Sequence, residues 1–166
     1  FSSRELQALR PGLVEVTHSA YGWSGPWATR RGFDSLVQMS SGIAHQGMTD
    51  HGAEKPVPLP VQALDHGCGY LVAMAALNGL RRRMRDGVGS TSRLSLARVG
   101  HLLACSAVSD QSPFGPEAGA DLSDDVEDTS WGPARRVASP LTIGGQPLRW
   151  AHPAGALGRH RAVWSQ

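Results

Sequence analysis

A chain of 166 residues, 40% of them hydrophobic and 18% charged, has the size and apolar content of one ordinary domain. It carries too little charge for a disordered chain, and a net charge of +2 gives no ground for nucleic-acid binding. The 20 glycines and 11 prolines predict many turns and long irregular connections.

Ser2 or Ser3 is suited to cap a short helix over 4–9, closed by Pro11-Gly12. Residues 13–18 have the alternating, β-branched pattern of a strand. A turn-rich loop from Ser19 to Trp27 follows, and such a loop after a strand is a common binding place in α/β folds. Helical spacing runs from Phe33 to Ile43, and 45–60 reads as loop. The strongest helical pattern spans 61–85, with Leu64, Cys68, Leu71, Val72, Ala75, Ala76 and Leu80 on one stripe. Gly67, Gly69 and Gly79 interrupt it, each at a cost of ~1 kcal/mol relative to alanine, which points to close approach of a backbone or a ligand. Arg81-Arg82-Arg83-Met84-Arg85 complements the negative end of the helix dipole before Asp86-Gly87 turns the chain. A strand is expected over 91–97 and a helix over 98–108. Residues 109–136 are acidic and lack apolar periodicity, so they read as loop. A strand over 137–143, an extended piece at 147–150 and a terminal helix from His160 complete the chain. The alternation of helix and strand patterns predicts an α/β domain with some parallel sheet.

The charge is unevenly placed. Eleven Lys/Arg and seven Asp/Glu fall in residues 1–100, and five against seven in the remainder. Lys55 is the sole lysine, so an anion site must use arginine or backbone amides. Cys68 and Cys105 do not make a disulfide framework, and Cys68 in its apolar run reads as a buried thiol. No signal peptide is visible, and the longest apolar stretch, Tyr70–Leu77, is far too short to span a membrane. A cytoplasmic location is expected, and a start at Phe1 suggests a piece of a longer protein.

Two stretches carry a family resemblance. The first runs from Arg10-Pro11-Gly12-Leu13-Val14-Glu15-Val16 through Gly22-Trp23-Ser24-Gly25-Pro26-Trp27, Arg31-Gly32-Phe33-Asp34 and Gln38-Met39-Ser40-Ser41-Gly42. The second is Pro60-Val61-Gln62-Ala63-Leu64-Asp65 followed by Gly69-Tyr70-Leu71-Val72-Ala73-Met74-Ala75-Ala76-Leu77. In this order they resemble family III CoA-transferases, the CaiB/BaiF group, which includes carnitine and formyl CoA-transferases and 2-methylacyl-CoA racemases. The resemblance implies an α/β fold with a Rossmann-like sheet and flanking helices, here lacking the usual front segment and most of the small domain. Residues 1–108 would be a partial large domain, 109–130 an acidic excursion, and 131–166 a C-terminal segment returning to the large domain.

The resemblance also implies a chemistry. Asp65 matches the aspartate that attacks an acyl-CoA in the family's transferases, and a carboxylate at a helix start has amides and a dipole to stabilise its charge. An aspartate that merely supports a helix start would look the same from its position alone. Gly67 and Gly69 would let a thioester approach. Arg30 and Arg31 fall where the family places a cation near CoA, and a guanidinium binds phosphate through two bonds; a solvated charge pair has the same pattern. Gly22 and Gly25 belong to a loop that either offers amides to an oxyanion or simply turns. Phe33 stands where the racemases have a proton-shuttling histidine, which disfavours racemisation and leaves Phe33 as core packing for its helix. The seven histidines show no zinc spacing, and Ser19 and Ser24 lie outside any G-x-S-x-G.

The function implied is CoA transfer between an acyl-CoA and a carboxylic acid, with CoA entering as the substrate thioester and no metal. The rival is a non-catalytic scaffold that keeps the fold. Family members form interlocked dimers, so a homodimer, or assembly with a second half, is expected; neither nucleic acid nor membrane is.

Overall fold

The computed structural model describes residues 2–106 and 115–163. Residues 107–108 of the helix expected over 98–108, 109–114 of the acidic stretch and Trp164 lie outside the described residues. The chain groups into two units, residues 1–109 and 110–166.

In the first unit, helix α1 (Ser3–Leu9) is set by a capping box. The Glu5 amide donates to the Ser2 hydroxyl, and the Ser2 amide donates back to the Glu5 carboxylate at 2.7 Å. Strand β1 (Val14–Ser19) follows. The helix expected from Phe33 to Ile43 is in fact two: α2 (Asp34–Ser40) and α3 (Ile43–Asp50). Gly42, at φ 93°, breaks the chain between them, a left-handed conformation that glycine adopts without strain. Part of the stretch expected as loop, 45–50, is therefore helical.

Helix α4 (Ala63–Asp86) matches the long apolar pattern. It stops at Gly87, φ 71°, whose amide closes on the Arg83 carbonyl. Strand β2 (Ser90–Ser95) ends two residues before the pattern suggested, because the Ser95 hydroxyl accepts from the Arg98 amide and starts α5 (Leu96–Cys105).

β1 and β2 pair in parallel, Val14 opposite Ser90 through Ser19 opposite Ser95. The chain between them contains α4, which packs on both strands. The direction of α4 is fixed by small residues. Near its C-terminal end Gly79 lies against Val14 and Ser90, where the strands begin. At its N-terminal end Gly67 meets Val99 and Leu64 approaches Gly100, both on the helix that starts where β2 finishes. The core gathers Val37, Leu64, Cys68, Leu96 and Val99, with Ala20, Tyr21, Ile43, Leu71, Val72, Leu94 and Ala97 around it.

The second unit is a set of hairpins. The acidic stretch expected as loop contains strand β3 (Leu122–Thr129), antiparallel to β4 (Gly132–Val137). Charge pairing replaces apolar alternation here. Glu127 accepts two hydrogen bonds from Arg136, at 2.6 and 2.8 Å, and Arg135 and Arg149 lie within 4 Å of Asp124 and Asp125. β5 (Thr142–Ile143) and β6 (Gln146–Pro147) are joined by Gly144-Gly145, both at positive φ as a two-residue hairpin turn of type I′ requires. His160–Val163 are not helical, against expectation.

Two glycines of α4 should respond oppositely to substitution. A Cβ on Gly79 would lie 2.5 Å from both Ser90 Oγ and Val14 Cγ1, whereas one on Gly69 meets nothing within 4 Å. Gly69→Ala should stabilise by about 1 kcal/mol through helix propensity. Gly79→Ala should lose more to overpacking, ~1–3 kcal/mol, than it gains. Urea unfolding midpoints should thus shift in opposite directions.

The Arg136 guanidinium hydrogen-bonded to Glu127 holds its carboxyl below the usual glutamate value. A lowered folded value supports the hairpin above the ordinary glutamate pKa and loses that support as pH falls through the lowered value. Carboxyl-carbon NMR should place the Glu127 midpoint below the 4.5 of an unperturbed glutamate.

Candidate active site

The carboxyl ends of β1 and β2, the loop leaving β1 and the start of α4 all lie at one end of the first unit. That is where open α/β sheets place ligands. Asp65 sits in the first turn of α4 and is exposed. Gly69, one turn further along the same face, is exposed with open space where a side chain would be. Side chains on a helix lean toward its N-terminus, so any side chain at position 69 would lie over Asp65. Gly67, by contrast, is used in packing against Val99.

The residue that caps α4 is not adjacent to it. Gln62, at the N-cap, makes no side-chain cap. The amide of Asp65 instead donates to Asp34 Oδ2 at 2.8 Å. Asp34 opens α2 and is only 1% exposed; its other oxygen accepts from Gln38 Nε2. Gln38 is also buried, donates to the Val61 carbonyl at 3.1 Å and accepts from the Leu59 amide at 2.8 Å. Three hydrogen bonds thus tie α2 to the chain entering α4, and a fourth, between Gln38 and Asp34, joins their two anchors within α2. Sequence reading missed both residues. The available signal was a carboxylate and an amide four apart, Asp34 and Gln38, on a helix whose apolar spacing runs through Phe33, Leu36, Val37 and Met39, of which only Val37 is buried.

Phe33 itself is 75% exposed, which corrects its expected role in core packing. It stands at the N-cap of α2, where the buried positions are Asp34, Val37 and Gln38.

The loop after β1 is folded tightly. The Gly22 amide donates to Ser19 Oγ at 2.9 Å, and Gly22 and Gly25 take positive φ of 87° and 80°. Gly32 returns against Ala20 and Tyr21, where a Cβ would clash at 2.7 Å. Two half-exposed tryptophans each carry an arginine: Arg30 lies 4.5 Å from the Trp27 ring centre and Arg93 lies 5.5 Å from that of Trp23. Arg31 is exposed. Among the described residues no hydrogen bond or ion pair joins Asp65 to Gly22, Gly25, Arg30 or Arg31. What connects them is the chain itself, since Asp34 follows Arg31 by three residues.

Residues 1–120 match the model of CoA-transferase family III. The chain belongs to that family. Among curated relatives, the probable fatty acyl-CoA transferase Rv3272 of Mycobacterium tuberculosis is 32% identical over a stretch covering 57% of this chain and 24% of that protein. Its crystal structure superposes with a TM-score of 0.55 at 30% identity, over 61% of this chain and 28% of that one. Succinyl-CoA–D-citramalate CoA-transferase of Chloroflexus aurantiacus is 32% identical over 51% of this chain and 21% of that protein. A CaiB/BaiF family protein of Brucella suis shares the fold, with a TM-score of 0.53 at 22% identity, over 80% of this chain and 36% of that one. The family III chain described here therefore spans about a quarter of the length of the curated relatives it matches. Among the described residues no helix is long and apolar enough to cross a membrane.

Cys68 lies one turn from Asp65 along α4 and is 2% exposed. Burial pushes its thiol above the ordinary value, and the charge of Asp65 adds to the rise. Cys105 is exposed at the far end of α5. Iodoacetamide at mildly alkaline pH should alkylate Cys105 first and Cys68 at least ~10-fold more slowly, read by peptide mass spectrometry.

Proposed function

We propose that this chain carries the nucleophile of a family III CoA-transferase, and that Asp65 is that nucleophile. The observation that carries the reading is an exposed carboxylate in the first turn of α4, at the carboxyl end of a parallel pair, with an uncovered glycine beside it. The Asp65 carboxylate attacks the thioester carbonyl of an acyl-CoA, forming a mixed anhydride and expelling the CoA thiolate. The thiolate attacks the aspartyl carbonyl of that anhydride, which releases the first acid and leaves an aspartyl-CoA thioester. The acceptor carboxylate then displaces CoA to form a second anhydride. Thiolate attack on its acceptor carbonyl yields the new acyl-CoA and frees Asp65.

The other candidates take supporting roles. Arg31 and Arg30 are suited to CoA phosphates, Arg30 with its guanidinium steadied on Trp27. Gly25 is the better candidate for a backbone donor to a developing oxyanion, because the amide of Gly22 already serves Ser19. Phe33 has no proton to move, which argues against racemisation. The exposed apolar residues of α4, among them Tyr70, Met74, Leu77 and Met84, support the expectation of a dimer or an assembly with a second half.

Incubating the full-length protein with acyl-CoA and then hydroxylamine should leave a hydroxamate on Asp65, located by peptide mass spectrometry. Asp65→Asn should lower transfer by ~10³-fold or more, an amide being a poor nucleophile. Its circular dichroism should be unchanged, since the bond to Asp34 uses the backbone of residue 65 and not its side chain. Full transfer by Asp65→Asn would refute the assignment. A wild-type protein that neither binds CoA nor becomes labelled would support the scaffold instead.

A further inference from the structure

We infer that Asp34 is the positioning residue of the site, holding Asp65 through its backbone amide, and that Gln38 fixes the polarity of the arrangement. The inference rests on the reading of Asp65 as nucleophile. Asp34 is a carboxylate at 1% exposure, and among the described residues no lysine or arginine pairs with it. Burying a carboxylate in this way costs far more than a serine or asparagine at position 62, either of which would cap α4 locally. What Asp34 adds is location. It reaches from α2, next to the loop that carries Arg30 and Arg31, to the amide of the nucleophile itself.

The hydrogen-bond directions leave little choice at position 34. The Gln38 amide is oriented by two backbone groups of opposite kind: its oxygen accepts from Leu59 N–H and its nitrogen donates to the Val61 carbonyl. That nitrogen therefore faces Asp34 as a donor. The Asp65 amide faces it as a second donor. Position 34 must offer two acceptors at once, which a carboxylate does and an asparagine does not. With asparagine, either the side-chain NH2 opposes Gln38 or Gln38 turns over and loses both backbone partners. The lock spans Leu59 to Asp65, so its failure moves the carboxylate that does the chemistry, and displacement by about 1 Å is enough to cost ~100-fold in rate.

The polarity argument supplies its own rescue. In Asp34→Asn combined with Gln38→Glu, the amide oxygen introduced at position 34 accepts from the residue 65 amide. Its NH2 donates to the new carboxylate at position 38, and that carboxylate still accepts from Leu59. Three of the four bonds return. In the full-length enzyme, Asp34→Asn should keep KM for acyl-CoA within about twofold while kcat and the rate of Asp65 labelling fall ~100-fold. The double variant should recover at least about tenfold of that loss. A merely structural role would lower the amount of folded enzyme without separating kcat from KM, and two changes would be worse than one. The inference is overturned if Asp34→Asn labels Asp65 at the wild-type rate, or if the double variant is no faster than the single one. Should Asp34→Asn fail to fold, the double variant decides alone, folding and labelling being expected of it. Amide hydrogen exchange separates this inference from the assignment of Asp65. The residue 65 amide should be protected in wild type and in Asp65→Asn and unprotected in Asp34→Ala, even if no acyl-CoA ever labels the protein. Equal exchange in wild type and Asp34→Ala would sink the positioning role by itself.

Discussion

The architecture of the first unit turns on a buried carboxylate that meets a helix end. A helix leaves its first amides without partners, and a cap from the preceding residue is the usual remedy. In this chain Gln62 does not supply one, and Asp34 arrives from another helix to take the amide of Asp65. Because the same carboxylate engages Gln38, and Gln38 engages both Leu59 and Val61, the entry into α4 is bound to α2. The remaining packing follows. α4 lies along β1 and β2 with Gly79 close on the strand starts, and α5 closes on Gly67. A two-stranded parallel ribbon has little stability of its own, so these contacts are what make the pair a structural element.

Much of this order was legible because it is apolar. The stripe from Leu64 to Leu80 specifies α4, and the β-branched run at 13–18 specifies β1. Asp65 was legible as a carboxylate at a helix start beside glycines. The contacts that hold it were not, because the buried side of α2 is polar. The apolar pattern of Phe33, Leu36, Val37 and Met39 is right for Val37, which is buried, but Asp34 and Gln38 share the core beside it while Phe33, Leu36 and Met39 are exposed. The division of α2 from α3 was hidden for a different reason. It depends on the sign of one torsion at Gly42, which composition does not reveal.

The hairpin of the second unit shows the same limit in electrostatic form. A segment with seven acids and no bases looks unable to pair with anything. Its partners, Arg135, Arg136 and Arg149, lie further along the chain, so the balance exists only once the chain has folded back on itself. Arg136 completes it by combining two bonds to Glu127 with a place 4.5 Å from the Trp150 ring. Isolated surface pairs of this sort contribute little, whereas a bidentate pair beside an aromatic ring also fixes geometry.

The thiol of Cys68 has a consequence for following the chemistry. It is held in its protonated form chiefly by burial and additionally by the negative charge of Asp65. In the proposed mechanism an acylated Asp65 would carry no charge, so the second influence would disappear while the first remained. The Cys68 thiol would then ionise somewhat more easily. On that mechanism Cys68 would serve as a built-in reporter of acylation: its S–H vibration, in an otherwise clear region of the infrared spectrum, would shift if Asp65 were acylated and return when the carboxylate was restored.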